Sequence, residues 1–140
     1  MRKLAALAAV ALLSACASGT PMQESKEAAA PIPAGKGRVI LYRQGVFGAA
    51  FQPTVSFNGV PKGKCAPRGA FSVDLAPGNH TIEATTETTK QALAHVEAGQ
   101  TTYVRCGIGF GVLVGRPTLE VVPPATGKSE SAELAFTGRY

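Results

Sequence analysis

The stretch at residues 53–65, Pro-Thr-Val-Ser-Phe-Asn-Gly-Val-Pro-Lys-Gly-Lys-Cys, predicts a β-hairpin. Val55 and Phe57 alternate with polar residues, then comes the pair Asn58-Gly59, and a second short segment follows. Asn and Gly both tolerate the positive φ angles of a type I′ turn, so this pair between two such segments is a strong hairpin signal. The sequence therefore predicts two antiparallel strands, residues 53–57 and 60–65, joined by a tight turn.

The same pattern extends in both directions from the hairpin. Short segments rich in β-branched and aromatic residues are separated by Gly, Pro and Asn, which is typical of strands and turns. These segments are residues 38–43, 71–75, 81–88, 91–96, 101–110 and 117–122. Segment 38–43 shows little alternation, which predicts a central strand covered on both faces. Together they predict an all-β fold, an antiparallel β-sandwich of about eight short strands, with a short C-terminal helix over 129–136 that Ser129 caps.

Residues 1–15 have the composition of a bacterial export signal, with Arg2 and Lys3 before about ten apolar residues. The apolar run is shorter than the roughly 20 residues that a transmembrane helix needs. It ends in Leu-Ser-Ala before Cys16, which resembles the lipobox of bacterial lipoproteins. The resemblance implies that residues 1–15 are removed as a signal peptide and that Cys16 receives a diacylglycerol and a further acyl chain, such as palmitate. Ordinary secretion is the alternative, because small residues flank Cys16 and also suit a plain signal-peptidase site.

A lipidated Cys16 would act as a membrane anchor, because two or more acyl chains hold a protein stably. Ala17 follows Cys16, and by resemblance to the sorting rules of bacteria with two membranes, this implies the outer membrane, facing the periplasm. Residues 16–36 are rich in Ala, Pro, Ser and Glu, which predicts a flexible lipid-anchored tether. Residues 37–140 then form one β-sandwich domain.

Cys65 and Cys106 are the two cysteines of the predicted domain. Disulfides persist in exported proteins, and Cys106 falls on the predicted inner face of its strand. The sequence therefore favours a Cys65–Cys106 disulfide. Two separate buried thiols are the alternative.

The resemblance to a known family rests on turn motifs spread along the domain. They are NG-x-x-x-G followed by F-x-V-D-L-x-PG-x-H at residues 58–80, then AGQTTYVRCGIGFG and VGRPTLE. This order resembles a family of short bacterial lipoproteins catalogued as a domain of unknown function. The first half also resembles the PEGA type of β-sandwich module, from which Pro61 departs. The resemblance brings no activity, cofactor or catalytic residue.

The glycine-rich strip at residues 107–116 is the candidate contact surface. Arg105 and Arg116 flank it, and Gly107, Gly109 and Gly111 alternate with apolar residues that include Phe110. Arginine and close backbone approach both suit a protein interface. The alternative is an internal strand and turn, with both arginines paired to Glu120 or Glu97. A dinucleotide site is rejected, because the third glycine of the fingerprint is missing.

The composition and the remaining motifs restrict the function. The net charge of +5, of which Arg2 and Lys3 contribute two charges, is too mild to indicate nucleic-acid binding. His80 and His95 show no metal-ligand spacing, and no nucleophile motif is present, so we expect no metal, no cofactor and no enzyme. The sequence predicts a lipoprotein of the cell envelope with a binding or structural role, contacting another envelope protein.

The alternative partner is a cell-wall or surface polysaccharide, and an enzyme is a distant third possibility. The cluster of Lys62, Lys64 and Arg68 fits either a solvated strand edge or an anionic polymer site. Exposed tyrosines at positions 42 or 103 would favour the polysaccharide. A flat apolar patch around Phe47, Phe110 and Val112 would favour the protein partner.

Overall fold

The computed structural model describes residues 16–140, and the predicted signal peptide at 1–15 lies outside this range. The described residues form nine strands and one helix. They are β1 (Gly37–Tyr42), β2 (Thr54–Phe57), β3 (Val60–Lys64), β4 (Gly69–Leu75), β5 (Gly78–Thr85), β6 (Thr89–Val96), β7 (Thr101–Gly109), β8 (Arg116–Val122), α1 (Pro124–Ser131) and β9 (Ala135–Arg139). Within these residues, no helix is both long and apolar enough to cross a membrane.

The strands form two sheets that enclose one main core, which confirms the predicted β-sandwich. The first sheet has the order β8-β7-β1-β4-β9 and the second has the order β3-β2-β5-β6. The core between them contains Val39, Phe57, Phe71, Ile82 and Val104, which are at most 1% exposed. Strand β1 is central and buried along its whole length, as its lack of alternation predicted.

The first sheet is mixed, so the prediction that the sandwich is antiparallel needs correction. Strand β1 pairs with β7 in parallel, with Arg38 opposite Thr101 and Tyr42 opposite Arg105. Strand β4 pairs with β9 in parallel as well. The physical reason lies in the connections. Between β1 and β7 the chain enters the second sheet as β2 and β3, returns to the first as β4, and enters the second again as β5 and β6. Parallel pairing needs such a long crossover, whereas a tight turn joins only antiparallel strands.

The hairpin and the disulfide were both predicted correctly. Asn58 and Gly59 have φ angles of 52° and 81°, which is the turn geometry that the pair indicated. Pro61 lies in β3, at the edge of the second sheet, where the amide hydrogen that proline lacks costs least. Cys65 and Cys106 are joined by a disulfide that links the end of β3 to β7.

The predicted helix over 129–136 is wrong in position. Helix α1 spans Pro124–Ser131, and proline at its first turn supplies a φ angle already suited to a helix. The following residues form β9, which pairs with β4 and buries Phe136. Tertiary pairing therefore determines the structure of residues 135–139, and local helix signals do not.

Residues 17–36 lie against the domain, where the composition predicted a flexible tether. The amide of Met22 donates to Leu134 O at 2.8 Å, and Pro21 forms a bridge with Ala135. The guanidinium of Arg38, which is 4% exposed, donates to Ala30 O at 2.6 Å. Composition could not reveal these contacts, because their partners belong to strands and loops distant in sequence.

Candidate contact surface

Five exposed apolar side chains cluster where the loop after β1 meets the loop between β7 and β8. We call them the apolar tip: Val46, Phe47, Phe110, Val112 and Leu113. Phe110, Leu113 and Val112 are 88%, 84% and 82% exposed. The rings of Phe47 and Phe110 touch, with centroids 5.0 Å apart. Clustered exposed apolar side chains on a small domain are typical of an interaction site.

The carboxylate of Glu87 holds the loop between β7 and β8 in place. It accepts hydrogen bonds from the amides of Val112 at 2.7 Å, Leu113 at 2.7 Å and Val114 at 3.3 Å. These amide donors, with Arg116 nearby, hold the pKa of the Glu87 carboxyl below its ordinary value. The loop therefore has a fixed shape that presents its apolar side chains outward.

Gly111 allows the close approach of Glu87. A β-carbon at position 111 would lie 1.9 Å from Glu87 Oε1 and 2.7 Å from the α-carbon of Gly115. Any larger residue would therefore displace the carboxylate that supports the apolar tip. Gly107 lies within β7 opposite Thr118, and Gly109 ends β7 opposite Arg116, at the base of the apolar tip.

Arg43 holds the other loop of the apolar tip from below. Its side chain is 2% exposed and donates hydrogen bonds to Phe51 O at 2.9 Å, Cys65 O at 2.8 Å and Phe47 O at 2.8 Å. Burial lowers the pKa of this guanidinium. Loop 44–52 is thus organised around a buried cation that satisfies its carbonyl groups.

The two predicted arginines have different environments. Arg105 forms ion pairs with Glu130 at 2.6 Å and Glu120 at 2.9 Å. This is the structural alternative considered for Arg105, whose guanidinium ties α1 and β8 to β7. The side chain of Arg116 is 56% exposed, and its Nε lies 3.6 Å from Glu87 Oε1, at the base of the apolar tip.

Glu130 links helix α1 to the first sheet. It accepts a hydrogen bond from Tyr42 Oη at 2.5 Å and from Arg105 Nε at 2.9 Å. Arg105 and then Tyr42 lower the pKa of the Glu130 carboxyl, whereas burial and then the Glu130 contact raise the pKa of Tyr42. Tyr42 is fully buried, and Tyr103 lies under α1, where a β-carbon at Gly127 would meet its ring. Neither tyrosine is an exposed platform for a sugar.

A groove opens on the side of the sandwich where β3 and β9 are the two edge strands. Its volume is about 530 Å³, and its lining includes Cys16, Lys62, Lys64 and Tyr140. Cys16 has no disulfide partner and is partly exposed. The groove thus brings the residue predicted to carry a lipid beside two lysines.

The histidines have structural contacts. His80 lies within hydrogen-bond distance of Asn58 Nδ2, at 2.8 Å, and of Ala76 O, at 2.7 Å. His95 Nδ1 lies 2.8 Å from Asn79 Oδ1. Across residues 16–140, no three His, Cys, Asp or Glu side chains come together as a metal site.

Acidification is expected to release the loop that Glu87 holds. Because the folded pKa of Glu87 is lowered, its stabilising contribution is present above the ordinary pKa of glutamate. That contribution is lost as the pH falls through the lowered value. In nuclear magnetic resonance titrations, the amide signals of residues 112–114 should shift with a midpoint below that of a free glutamate.

Glu87→Gln should abolish this titration and speed hydrogen exchange at the same amides. Glu97→Gln is the matched control, because Glu97 is 68% exposed and distant from the loop. Unchanged titration at residues 112–114 in Glu87→Gln would contradict the assigned role.

The fold and the site together define a small β-sandwich domain with an apolar loop surface supported by buried polar side chains. A family model described as "Protein of unknown function (DUF2846)" matches residues 33–116, more than half of the chain. The chain belongs to this family. No curated protein sequence matches the chain.

Among solved structures, the chain is similar to the N-terminal domain of AlgF from P. aeruginosa. It shares 20% sequence identity with a TM-score of 0.41, and the match covers 65% of this chain and 98% of that chain.

Proposed function

We propose that the protein is a lipid-anchored lipoprotein of the bacterial cell envelope that acts by binding through its apolar tip. Cys16 carries the lipid, and the protein faces the periplasm from the outer membrane. The observation that carries the binding role is the apolar tip itself, because Phe110, Val112 and Leu113 are more than four-fifths exposed yet belong to a loop of fixed shape. Exposing such side chains costs solubility unless another surface covers them.

Binding rather than catalysis suits the way the charged groups are used. Glu87 holds the apolar tip, Arg43 holds loop 44–52, and Glu130 holds α1. Each of these groups has a shifted pKa that a structural contact or burial accounts for. In an enzyme, shifted groups would be expected to converge on a cavity.

The apolar tip favours an apolar partner over a polysaccharide. Tyr42 is fully buried and Tyr103 lies under α1, so the aromatic platform expected of a sugar site is not formed by these residues. Apolar surface of the required kind is offered by another envelope protein, the partner predicted from the sequence, and also by the bilayer itself. We also propose that residues 58–80 are a PEGA-type module. In support of this likeness, Asn58 and His80, at the two ends of the motif, are in contact.

Photocrosslinking in cells tests both parts of this proposal. A photoreactive amino acid at position 113 should form adducts, whereas the same amino acid at position 98 should not. Ala98 is the control because it is exposed in the turn between β6 and β7, at the opposite end of the sandwich. Equal adduct formation at the two positions would contradict a binding role for the apolar tip.

The variant Cys16→Ser is the comparator for the anchor. It should leave the membrane fraction and lose the adducts at position 113, because the thiol that would carry the lipid is absent. If Cys16→Ser stays with membranes as firmly as the unmodified protein after carbonate washing, the anchor proposal is wrong.

A further inference from the structure

The register of the strands places Cys16 and the apolar tip at the same end of the sandwich. We call this the upper end, where β1 and β7 finish and β4 and β8 begin. Gly109 pairs with Arg116 there, at the base of the apolar tip, and Gly69 pairs with Ala135. The opposite end carries the turn that contains Ala98. In this turn the amide of Gly99 donates a hydrogen bond to Lys36 O, just before β1.

Cys16 is fixed to this upper end. The amide of Ala17 donates to Pro67 O at 2.8 Å, and Pro67 lies in the loop that leads into β4. Gly19 packs against the backbone of Phe136, and a β-carbon there would lie 2.4 Å from Phe136 O. A lipid on Cys16 would therefore begin at the domain surface, without a long tether between them. The upper end would face the membrane directly.

Exposed cations also lie at the upper end. Lys64 ends β3, Arg68 precedes β4, and Arg116 begins β8, and all three are exposed. Arg116 adjoins the apolar tip, and Lys64 lines the groove beside Cys16. Glu133, also exposed, is an acidic residue that precedes β9 at this end. Basic side chains beside apolar ones suit the boundary between anionic headgroups and acyl chains.

We propose that the apolar tip inserts into the membrane leaflet that holds the lipid of Cys16, with Lys64, Arg68 and Arg116 against anionic headgroups. The protein would then contact the membrane at two places, the lipid near one edge of the upper end and the apolar tip near the other. This inference rests on the proposed lipid anchor. It specifies the apolar surface that the apolar tip meets as the bilayer, and a protein partner is the alternative that the experiment below distinguishes.

Two contacts with the membrane, the lipid and the apolar tip, fix the orientation of the domain, whereas one contact does not. A lipid alone leaves the domain free to rotate above the membrane. Insertion of Phe110, Val112 and Leu113 as well would hold the strands upright and direct the turn at Ala98 towards the periplasm.

Depth-dependent quenching tests this arrangement. Lipidated protein is purified with Val112→Cys or Ala98→Cys, and the new thiol is labelled with an environment-sensitive fluorophore. Cys65 and Cys106 are protected because they are disulfide-bonded. Each protein is reconstituted into vesicles of phosphatidylethanolamine and phosphatidylglycerol that contain a phospholipid with a nitroxide on its acyl chain.

The label at position 112 should show a blue-shifted emission and several-fold stronger quenching than the label at position 98. Leu113→Cys serves as a second probe if a thermal melt shows that the label at position 112 disturbs folding. Equal, weak quenching at positions 112 and 98 in vesicles that still carry the protein would overturn insertion and leave the anchor intact.

Two other outcomes would also overturn the insertion. If the protein fails to float with the vesicles, the anchor proposal fails as well. A photoreactive amino acid at position 113 could form adducts in cells mainly with one protein, while the fluorescent label at position 112 stays unquenched by the nitroxide. In that case the apolar tip binds a protein partner.

Discussion

Replacing Arg43 with methionine is expected to lower the free energy of unfolding by about 3 kcal/mol or more and to disorganise half of the apolar tip. The guanidinium of Arg43 satisfies the carbonyls of Phe47, Phe51 and Cys65 from a buried position. The bond to Cys65 O is buried and those to Phe47 O and Phe51 O are partly buried. A fully buried carbonyl left without a donor costs about 1–3 kcal/mol and a partly buried one costs less, and relief of the buried charge offsets only part of the total. Urea denaturation measures the stability, and amide exchange over residues 44–52 measures the local effect.

Arg68→Met is the matched control, because it removes the same chemical group from the same region. Arg68 is exposed and donates to Gln44 O, at 3.1 Å. A solvent-exposed contact of this kind is expected to change stability by about 0.5 kcal/mol or less. An equal loss of unfolding free energy in Arg43→Met and Arg68→Met would show that the buried hydrogen bonds of Arg43 add nothing to stability.

Removing the disulfide with Cys65→Ala and Cys106→Ala is expected to cost roughly 4 kcal/mol. The two cysteines are 41 residues apart, and a cross-link of that span restricts the unfolded chain by about this amount in the chain-entropy treatment. Such a loss is a large part of the roughly 5–15 kcal/mol that stabilises a typical domain. Alanine is the replacement because both sites are buried in the main core.

The comparison should include the unchanged protein before and after reduction. Reduced protein and the double alanine variant should unfold at similar, lower urea concentrations, and mass mapping should find the linked peptides in oxidised material. A double variant as stable as the oxidised protein would contradict the contribution assigned to this bond.

The sequence predicted the elements whose signals are local. The turn at Asn58-Gly59 depends on two adjacent residues, and the central position of β1 follows from its lack of alternation. The disulfide has no local signal, and it could be predicted because the domain has two cysteines and Cys106 falls on an inner strand face. The parallel pairing of β1 with β7 has no local signal. It depends on the path that the chain takes through both sheets between these two strands. The order of the residues in β9 likewise gave no sign that it would pair with β4.

The apolar tip was predicted in part. Phe110, Val112 and Leu113 lie within the predicted strip, and a patch of Phe47, Phe110 and Val112 was named as the feature that would favour a protein partner. Glu87 and Arg43, which hold the two loops, were missed. Each is a charged residue in an ordinary polar context, and its role arises only when the fold brings backbone groups from a distant loop to it. Arg105 was assigned to the contact surface because it flanks the strip, although its side chain turns towards Glu130.

The parallel pairing of β1 with β7 determines the order in which the domain can be completed. A chain exported from its N-terminus delivers β1 and β4 early, and these strands pair with each other. The other edge of β1 remains open until residues 101–105 arrive. An apolar strand with an open edge pairs readily with other chains, and long-range pairing is slow. On the export route proposed here, β1 therefore keeps an open edge until the last third of the chain has crossed.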